Sequence, residues 1–332
     1  MSEAREHPAA AQAIPAQVDA QPAAQPAAQP AAQPAAQPAA QWTGQTPWTG
    51  RIDVAGENAA GRSHTTRDNP LVELTGVSKV FRMPPRRLFE RAQQVKALDF
   101  VTLKIERGES VAIVGESGSG KTTLIRQLLG LSTPTEGTVR FDGREVAAHS
   151  KDLAWLRRRT GLVFQDPYSS FNPRRTIGQS VAEPLEGGNV PGDHADMVRQ
   201  VLERVGLPAD AAQRYPDAFS GGQRQRIAVA RAIVHGPELL VGDEPVSALD
   251  VLVRARVLGL LTELRREFGL TLVTITHDLG IVPQLAERTI VMQGGRIVED
   301  GPTEQLLSNP SDPYTQQLVA SRLTLPENTW RG

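Results

Sequence analysis

The chain has 332 residues, of which 39% are hydrophobic and 22% charged, the balance of a soluble globular protein of one or two domains. Its formal net charge of −1 supplies no field for nucleic acid, and the lack of cysteine excludes disulfides, thiolate metal sites and a catalytic thiol. No apolar run approaches the roughly eighteen residues of a membrane helix, and MSEAREHPAA lacks a basic-then-apolar leader, so the chain is expected neither to span a bilayer nor to be exported.

In chain order, residues Gln21 to Gln41 repeat Gln-Pro-Ala-Ala. Proline at every fourth position blocks helix hydrogen bonding and sheet pairing, and the side chains offer little to bury, so residues 1–69 are expected to form a disordered tail. Order is expected from Pro70, where LVELTGVSKVF alternates apolar and polar residues in the manner of an edge strand. Phe81 near its end is either packing or a surface for a stacked base.

The stretch VAIVGESGSGKTT, Val111 to Thr123, joins a short apolar strand to Gly-x-x-x-x-Gly-Lys-Thr at Gly115, Gly120, Lys121 and Thr122. Glycines 115, 118 and 120 free the backbone around Glu116, Ser117 and Ser119 to wrap a phosphate with its N–H groups. A helix expected from Lys121 to about Leu131, with Leu124, Leu128 and Leu129 buried, aims its positive end at the anion. Lys121 adds a charge for the outer phosphates, and the Thr122 hydroxyl, followed by Thr123, is placed for Mg²⁺.

Beyond it, Gly137 to Phe141 reads as a strand, about Ser150 to His235 as helix-rich, and Leu239 to Val241 as a buried strand. A helix is expected around Arg254 to Phe268 on the spacing of Val257, Leu260, Leu261 and Leu264, then a strand from Thr271 to Thr276. Strands alternating with helices imply a parallel sheet covered on both faces, with its ligand at the carboxyl ends of the strands. Asp243 and Glu244 follow an apolar strand, whose alternation would send them to opposite sides: Asp243 to the magnesium shell, Glu244 to polarise the attacking water. Ser220-x-x-Gln223 fits a capping box, and a helix start with Gly221 and Gly222 also offers amides to an anion.

Five motifs in fixed order resemble those of the ATP-binding subunits of ABC transporters: the phosphate loop, Gln165 in VFQDPYSSFNP, FSGGQRQR from Phe219, LLVGDEP, and TITHD with His277. The resemblance covers about Leu71 to Ser321. It implies an α/β P-loop NTPase (RecA-like) core with an ABC β-subdomain and an inserted α-helical subdomain at about 150–235, in a domain over 70–322 followed by a tail at 323–332. It further implies ATP and Mg²⁺ as ligands, Glu244, His277 and Gln165 as the catalytic group, and Thr122, Gln165 and Asp243 toward the metal. Ser220, Gly221, Gly222 and Gln223 would meet the γ-phosphate bound by an opposite subunit, Ser247 to Asp250 would be the D-loop crossing the dimer, and Phe81 would stack on adenine.

The wording of QDPYSSFNPRRTIGQ, GDEPVSALDV and SDPYTQQLVAS resembles the oligopeptide and dipeptide importers, in the form of the second of two nonidentical ATPases. That implies a second ATPase subunit, in a heterodimer with a homodimer as the alternative, on the cytoplasmic side of a cell membrane, docked to separate permease subunits near exposed Tyr168, Phe171 and Pro173 and served by an extracytoplasmic binding protein, without nucleic acid. Importers of nickel or a metal chelate and a soluble ABC ATPase outside transport are the alternatives; the single phosphate loop and the 122-position span from Lys121 to Asp243 count against the latter. VLVRAR, Val251 to Arg256, departs from the usual glutamine-containing sequence after the D-loop.

Overall fold

A computed structural model describes residues 69–82, 94–147, 153–166, 170–247 and 249–323. The Gln-Pro-Ala-Ala repeat, Tyr168, Ala248 of the expected D-loop and residues 324–332 lie outside them. The first half folds as strands β1 (Val72–Arg82), β2 (Gln94–Ile105) and β3 (Ser110–Val114), helix α1 (Lys121–Leu128), β4 (Glu136–Phe141), β5 (Arg144–Glu145), α2 (Ala154–Arg157) and β6 (Thr160–Val163). Helices α3 (Ile177–Gly187), α4 (His194–Arg204) and α5 (Gly221–Ile233) follow, then β7 (Leu239–Asp243), α6 (Val251–Phe268) and β8 (Thr271–Thr276). The chain closes with α7 (Val282–Leu285), β9 (Arg288–Gln293), β10 (Arg296–Pro302), α8 (Thr303–Ser308) and α9 (Pro313–Leu323).

Two sheets result, a four-stranded antiparallel one in the order β2-β1-β4-β5 and a six-stranded one in the order β10-β9-β3-β8-β7-β6. The larger is parallel except for β10, which pairs antiparallel with β9 at the edge. Its central strands β3, β7 and β8 are buried on both faces, and their alternation divides their side chains between two cores. Val111 and Ile113 of β3, Val241 of β7, Val273 and Ile275 of β8 pack with α1 and the small sheet. Ala112, Val114, Leu240, Leu272 and Val291 face the other way, toward the helices α3 to α7. The expected parallel sheet covered on both faces is therefore present.

Three local expectations differ. β1 is not an edge strand but lies between β2 and β4; its alternation reflects one buried and one open face of an antiparallel sheet. The helix after the phosphate loop stops at Leu128, because Gly130 takes φ 66° and turns the chain. The N–H groups of Gly130 and Leu131 then donate to the Gln127 and Arg126 carbonyls at 3.1 and 2.8 Å, the pattern of a Schellman cap. The stretch expected to be helix-rich from about Ser150 also contains strand β6, which pairs with β7 and extends the large sheet.

At the amino ends of β6 and β7 a charge cluster joins the sheets. Arg159 donates to Glu238 at 2.7 Å and to Asp142 of the β4–β5 turn at 2.7 Å, and Arg107 bonds the same two carboxylates. Burial alone would raise both carboxyl pKa values, but the hydrogen bonds and charge of Arg159 and Arg107 outweigh it and hold them below their ordinary values. Groups lowered in this way contribute stability that is complete above the unfolded carboxyl range of about 4 and is lost as pH falls through the folded values. Arg159→Met strands the two carboxylates with half their partners, so its acid unfolding, followed by circular dichroism, is expected at higher pH than in the parent.

Candidate active site

The carboxyl ends of four adjacent strands carry the predicted groups: the phosphate loop follows β3, His277 follows β8, Glu244 follows β7 and Gln165 follows β6. The parallel register aligns these ends, with Val114 opposite Thr276, Asp243 opposite Ile275 and Val163 opposite Gly242. That places the site where an open α/β sheet holds its ligand.

The loop's first glycine is fixed by close approach. Gly115 has φ 147°, and a Cβ there would fall 2.2 Å from the Met292 carbonyl oxygen of β9. Gly118 and Gly120 also take left-handed φ values, which only glycine adopts without strain. The Lys121 ammonium folds back over the loop, donating to the Gly115 and Glu116 carbonyls at 2.6 and 2.7 Å. Its pKa is pushed below the ordinary lysine value by burial, against the opposing pull of Glu244, Asp243 and Glu116. Thr122 is exposed at the start of α1, and Thr123 is partly so.

Gln165, Glu244 and His277 meet. The Glu244 carboxylate accepts from the Gln165 amide at 2.9 Å through one oxygen and pairs with His277 Nδ1 at 2.9 Å through the other. The separation of Asp243 and Glu244 does not come from strand alternation, as expected, because β7 ends at Asp243. Glu244 instead takes φ 48°, outside the range of a strand, while its N–H donates to the Ile275 carbonyl at 3.0 Å. This turn leaves one carboxylate at the strand end and swings the other toward His277. Burial, then the neighbouring Glu244 charge, raises the Asp243 pKa, with Lys121 and Arg126 offsetting only part of it. A divalent cation would relieve that crowding of negative charge, so the donor set of Thr122, Asp243 and Gln165 fits Mg²⁺.

The turn behind His277 has support that the sequence did not suggest. Arg254 Nη1 donates to Asp278 at 2.8 Å, and Asp278 accepts from the Gly280 N–H at 2.8 Å. Arg254 lies inside the unusual VLVRAR stretch, so part of that departure anchors the histidine turn. Ser247 donates to the Glu244 carbonyl at 3.2 Å, and Asp250 caps α6 by accepting from the Val253 N–H at 3.0 Å.

Ser220 caps α5 in a reciprocal box, its hydroxyl accepting from the Gln223 N–H at 3.4 Å and the Gln223 side chain accepting from the Ser220 N–H at 2.9 Å. The structural half of that motif's reading is thus present. Gly222 in the first turn has no room for a side chain, since a Cβ would lie 2.2 Å from Val253 Cγ1 of α6. Phe219 is buried in the helical core. Phe81 is 38% exposed with the Lys79 ammonium 5.3 Å from its ring, and it pairs with Val95 on β2, the strand whose Ala97 carbonyl abuts Gly120.

One surface expectation is overturned. Phe171 is buried rather than exposed: the Arg231 guanidinium of α5 lies 4.6 Å over its ring and donates to the Ser170 carbonyl at 2.6 Å. Pro173 is exposed, as is Phe164 just before Gln165.

A parallel sheet whose strand ends carry a phosphate loop, a carboxylate pair and a histidine bound to one of them defines a P-loop nucleotide hydrolase. A family profile described as ABC transporter matches residues 98–247. The dipeptide transport ATP-binding protein DppF of Haemophilus influenzae is 44% identical over 80% of this chain and 81% of its own. The protein of that name from Escherichia coli is 42% identical over 77% of each chain. The di/tripeptide transport ATP-binding protein DppF of Pseudomonas aeruginosa is 45% identical over 71% of this chain and 74% of its own. Among solved structures, the ATP-binding cassette MJ0796, captured as a dimer in a post-hydrolysis state with ADP and Pi, is 30% identical at a TM-score of 0.61, covering 70% of this chain and 98% of that one. CbiO1 from Clostridium perfringens, part of the transporter complex cbiONQ, is 26% identical at a TM-score of 0.63, covering 78% of this chain and 97% of that one. The chain belongs to the ABC transporter family, as an ATP-hydrolysing subunit. Among the described residues no helix is long and apolar enough to cross a membrane.

Proposed function

We propose that this chain drives the import of dipeptides or oligopeptides by hydrolysing ATP against a separate membrane permease, from the cytoplasmic face. The observation that carries the reading is the Gln165–Glu244–His277 chain of contacts beside the phosphate loop, in a protein 42–45% identical to subunits named for dipeptide and di/tripeptide transport. Residues 70–322 form the ATPase domain in this reading.

The chemistry follows from the geometry. Loop amides from Ser117 to Thr123 and the Lys121 ammonium bind the triphosphate, with Lys121 exchanging its carbonyl partners for phosphate oxygens. Thr122, Asp243 and Gln165 would hold Mg²⁺, which would supply neutralisation of the phosphate charge. Glu244 accepts the proton of the attacking water, with its carboxylate oriented by Gln165 on one oxygen and His277 on the other. Phe81 stacks on the adenine.

Ser220 to Gln223 complete the pocket of a second cassette. Support for a partner comes from Val251 and Leu252, which stand 78% and 73% exposed on the first turn of α6 beside the D-loop, a position a second cassette would cover. Cassette MJ0796 is described as dimeric, and the wording of the motifs favours a nonidentical partner here. The permease docks near Phe164 and Pro173.

Tagged protein purified from detergent-solubilised membranes of its own host tests this. Co-purification of two permease subunits and a second cassette, with ATPase activity stimulated by a peptide-loaded binding protein, is the expected result. Stimulation by a nickel-loaded binding protein but not by peptide would replace the substrate; release from membranes without any permease would remove the transport role.

A further inference from the structure

The motif SDPYTQQLVAS lies outside the matched family segment and outside the four strand ends, yet one of its side chains reaches the phosphate loop. The Glu116 N–H donates to the Tyr314 hydroxyl oxygen at 2.9 Å. We propose that Tyr314 is a positioning residue for the phosphate-binding loop, through which the C-terminal segment sets the affinity for nucleotide. The inference rests on the reading of that loop as the nucleotide site.

Glu116 N and Gly115 O belong to one peptide unit. Its carbonyl is held by Lys121 Nζ at 2.6 Å and its N–H by Tyr314, so rotation of that unit breaks both bonds. Met292 of β9 closes the space on the Gly115 side. When Lys121 turns from the carbonyl toward a phosphate, the Tyr314 bond is what remains on that unit from a side chain. It therefore holds the loop in the state that matters for binding.

Tyr314 is itself firmly placed. The residue is 8% exposed, and its N–H donates to Asp312 at 2.8 Å. The N–H groups of Ser311 and Asp312 donate to the Glu299 carboxylate of β10 at 2.8 and 3.2 Å. Burial would raise the Glu299 pKa, but these bonds outweigh it and keep the group below its ordinary value, ionised and anchored. At the other end of the loop the Gly295 N–H, in the turn between β9 and β10, donates to the Ser119 carbonyl at 3.0 Å. The last hairpin and α9 thus hold the loop at both ends.

Tyr314→Phe keeps the ring and removes the hydroxyl. In the full chain, fluorescent mant-ATP with Mg²⁺ is expected to bind about three- to tenfold more weakly, the loss of one hydrogen bond. The melting midpoint without nucleotide should stay near that of the parent, and hydrogen exchange at Glu116 should accelerate while amides of β3 are unchanged. Glu299→Gln, which loosens the anchor without touching the ring, should weaken binding in the same direction by less; it carries the test if the Phe variant does not fold. Parental affinity in the Phe variant, or weakened affinity with unchanged Glu116 exchange, overturns the inference. Failure of the parent itself to bind mant-ATP would overturn the nucleotide reading instead.

Discussion

Glu244→Gln is expected to lower ATP turnover by about two to four orders of magnitude while leaving Mg-ATP affinity close to that of the parent. The amide keeps the size of the carboxylate and can still meet Gln165 and His277, whose 2.9 Å contacts hold the side chain in place. What it loses is basicity at the one atom that takes the proton from water. Phosphate contacts made by Lys121 and the loop amides are untouched, so the variant should bind nucleotide and stall with two cassettes closed. Phosphate release and nucleotide titration on one preparation check this. Full turnover by the variant would remove Glu244 from the mechanism.

Lys121→Ala is expected to act at the earlier step. Lys121 is 8% exposed and its ammonium is bonded to two carbonyls of its own loop, so it is already largely desolvated and aimed at the cradle before nucleotide enters. A charged hydrogen bond of about 1.5–3 kcal/mol lost to the outer phosphates corresponds to roughly ten- to a hundredfold in affinity. The substitution also releases the Gly115 and Glu116 carbonyls, which loosens the loop that the remaining amides depend on. Equilibrium binding of Mg-ATP by calorimetry reads the effect; an unchanged affinity would contradict the account of the loop.

The parts of the site that were legible in the sequence are those whose chemistry is local. Glycine spacing fixes a loop that must approach an anion, and an apolar run before Asp243 and Glu244 fixes the strand that delivers them. The order of strands and helices likewise implied a parallel sheet with its site at the strand ends. The details that escaped are those decided by distant segments. Strand β6 is four residues long, too short to stand out against the helices around it, and becomes a strand by pairing with β7. Phe171 sits among polar residues in the sequence, and it is the helical core, with Arg231 over its ring from a helix later in the chain, that buries it. The left-handed backbone at Glu244 shows no sign in its residue type, which normally avoids that conformation. Arg254 and Tyr314 reach the site from elements whose approach depends on the whole fold, the latter from 198 positions away.

If two cassettes share each nucleotide, as proposed, turnover depends on the concentration of the chain. ATP hydrolysis per chain, followed with the mass in solution, should be low when the chain is dilute and rise as it is concentrated or mixed with its cognate second cassette. The mass should shift to that of a pair in Mg-ATP. Turnover per chain that is already maximal at the lowest concentration, in a species with the 35.9 kDa mass of one chain, would contradict it.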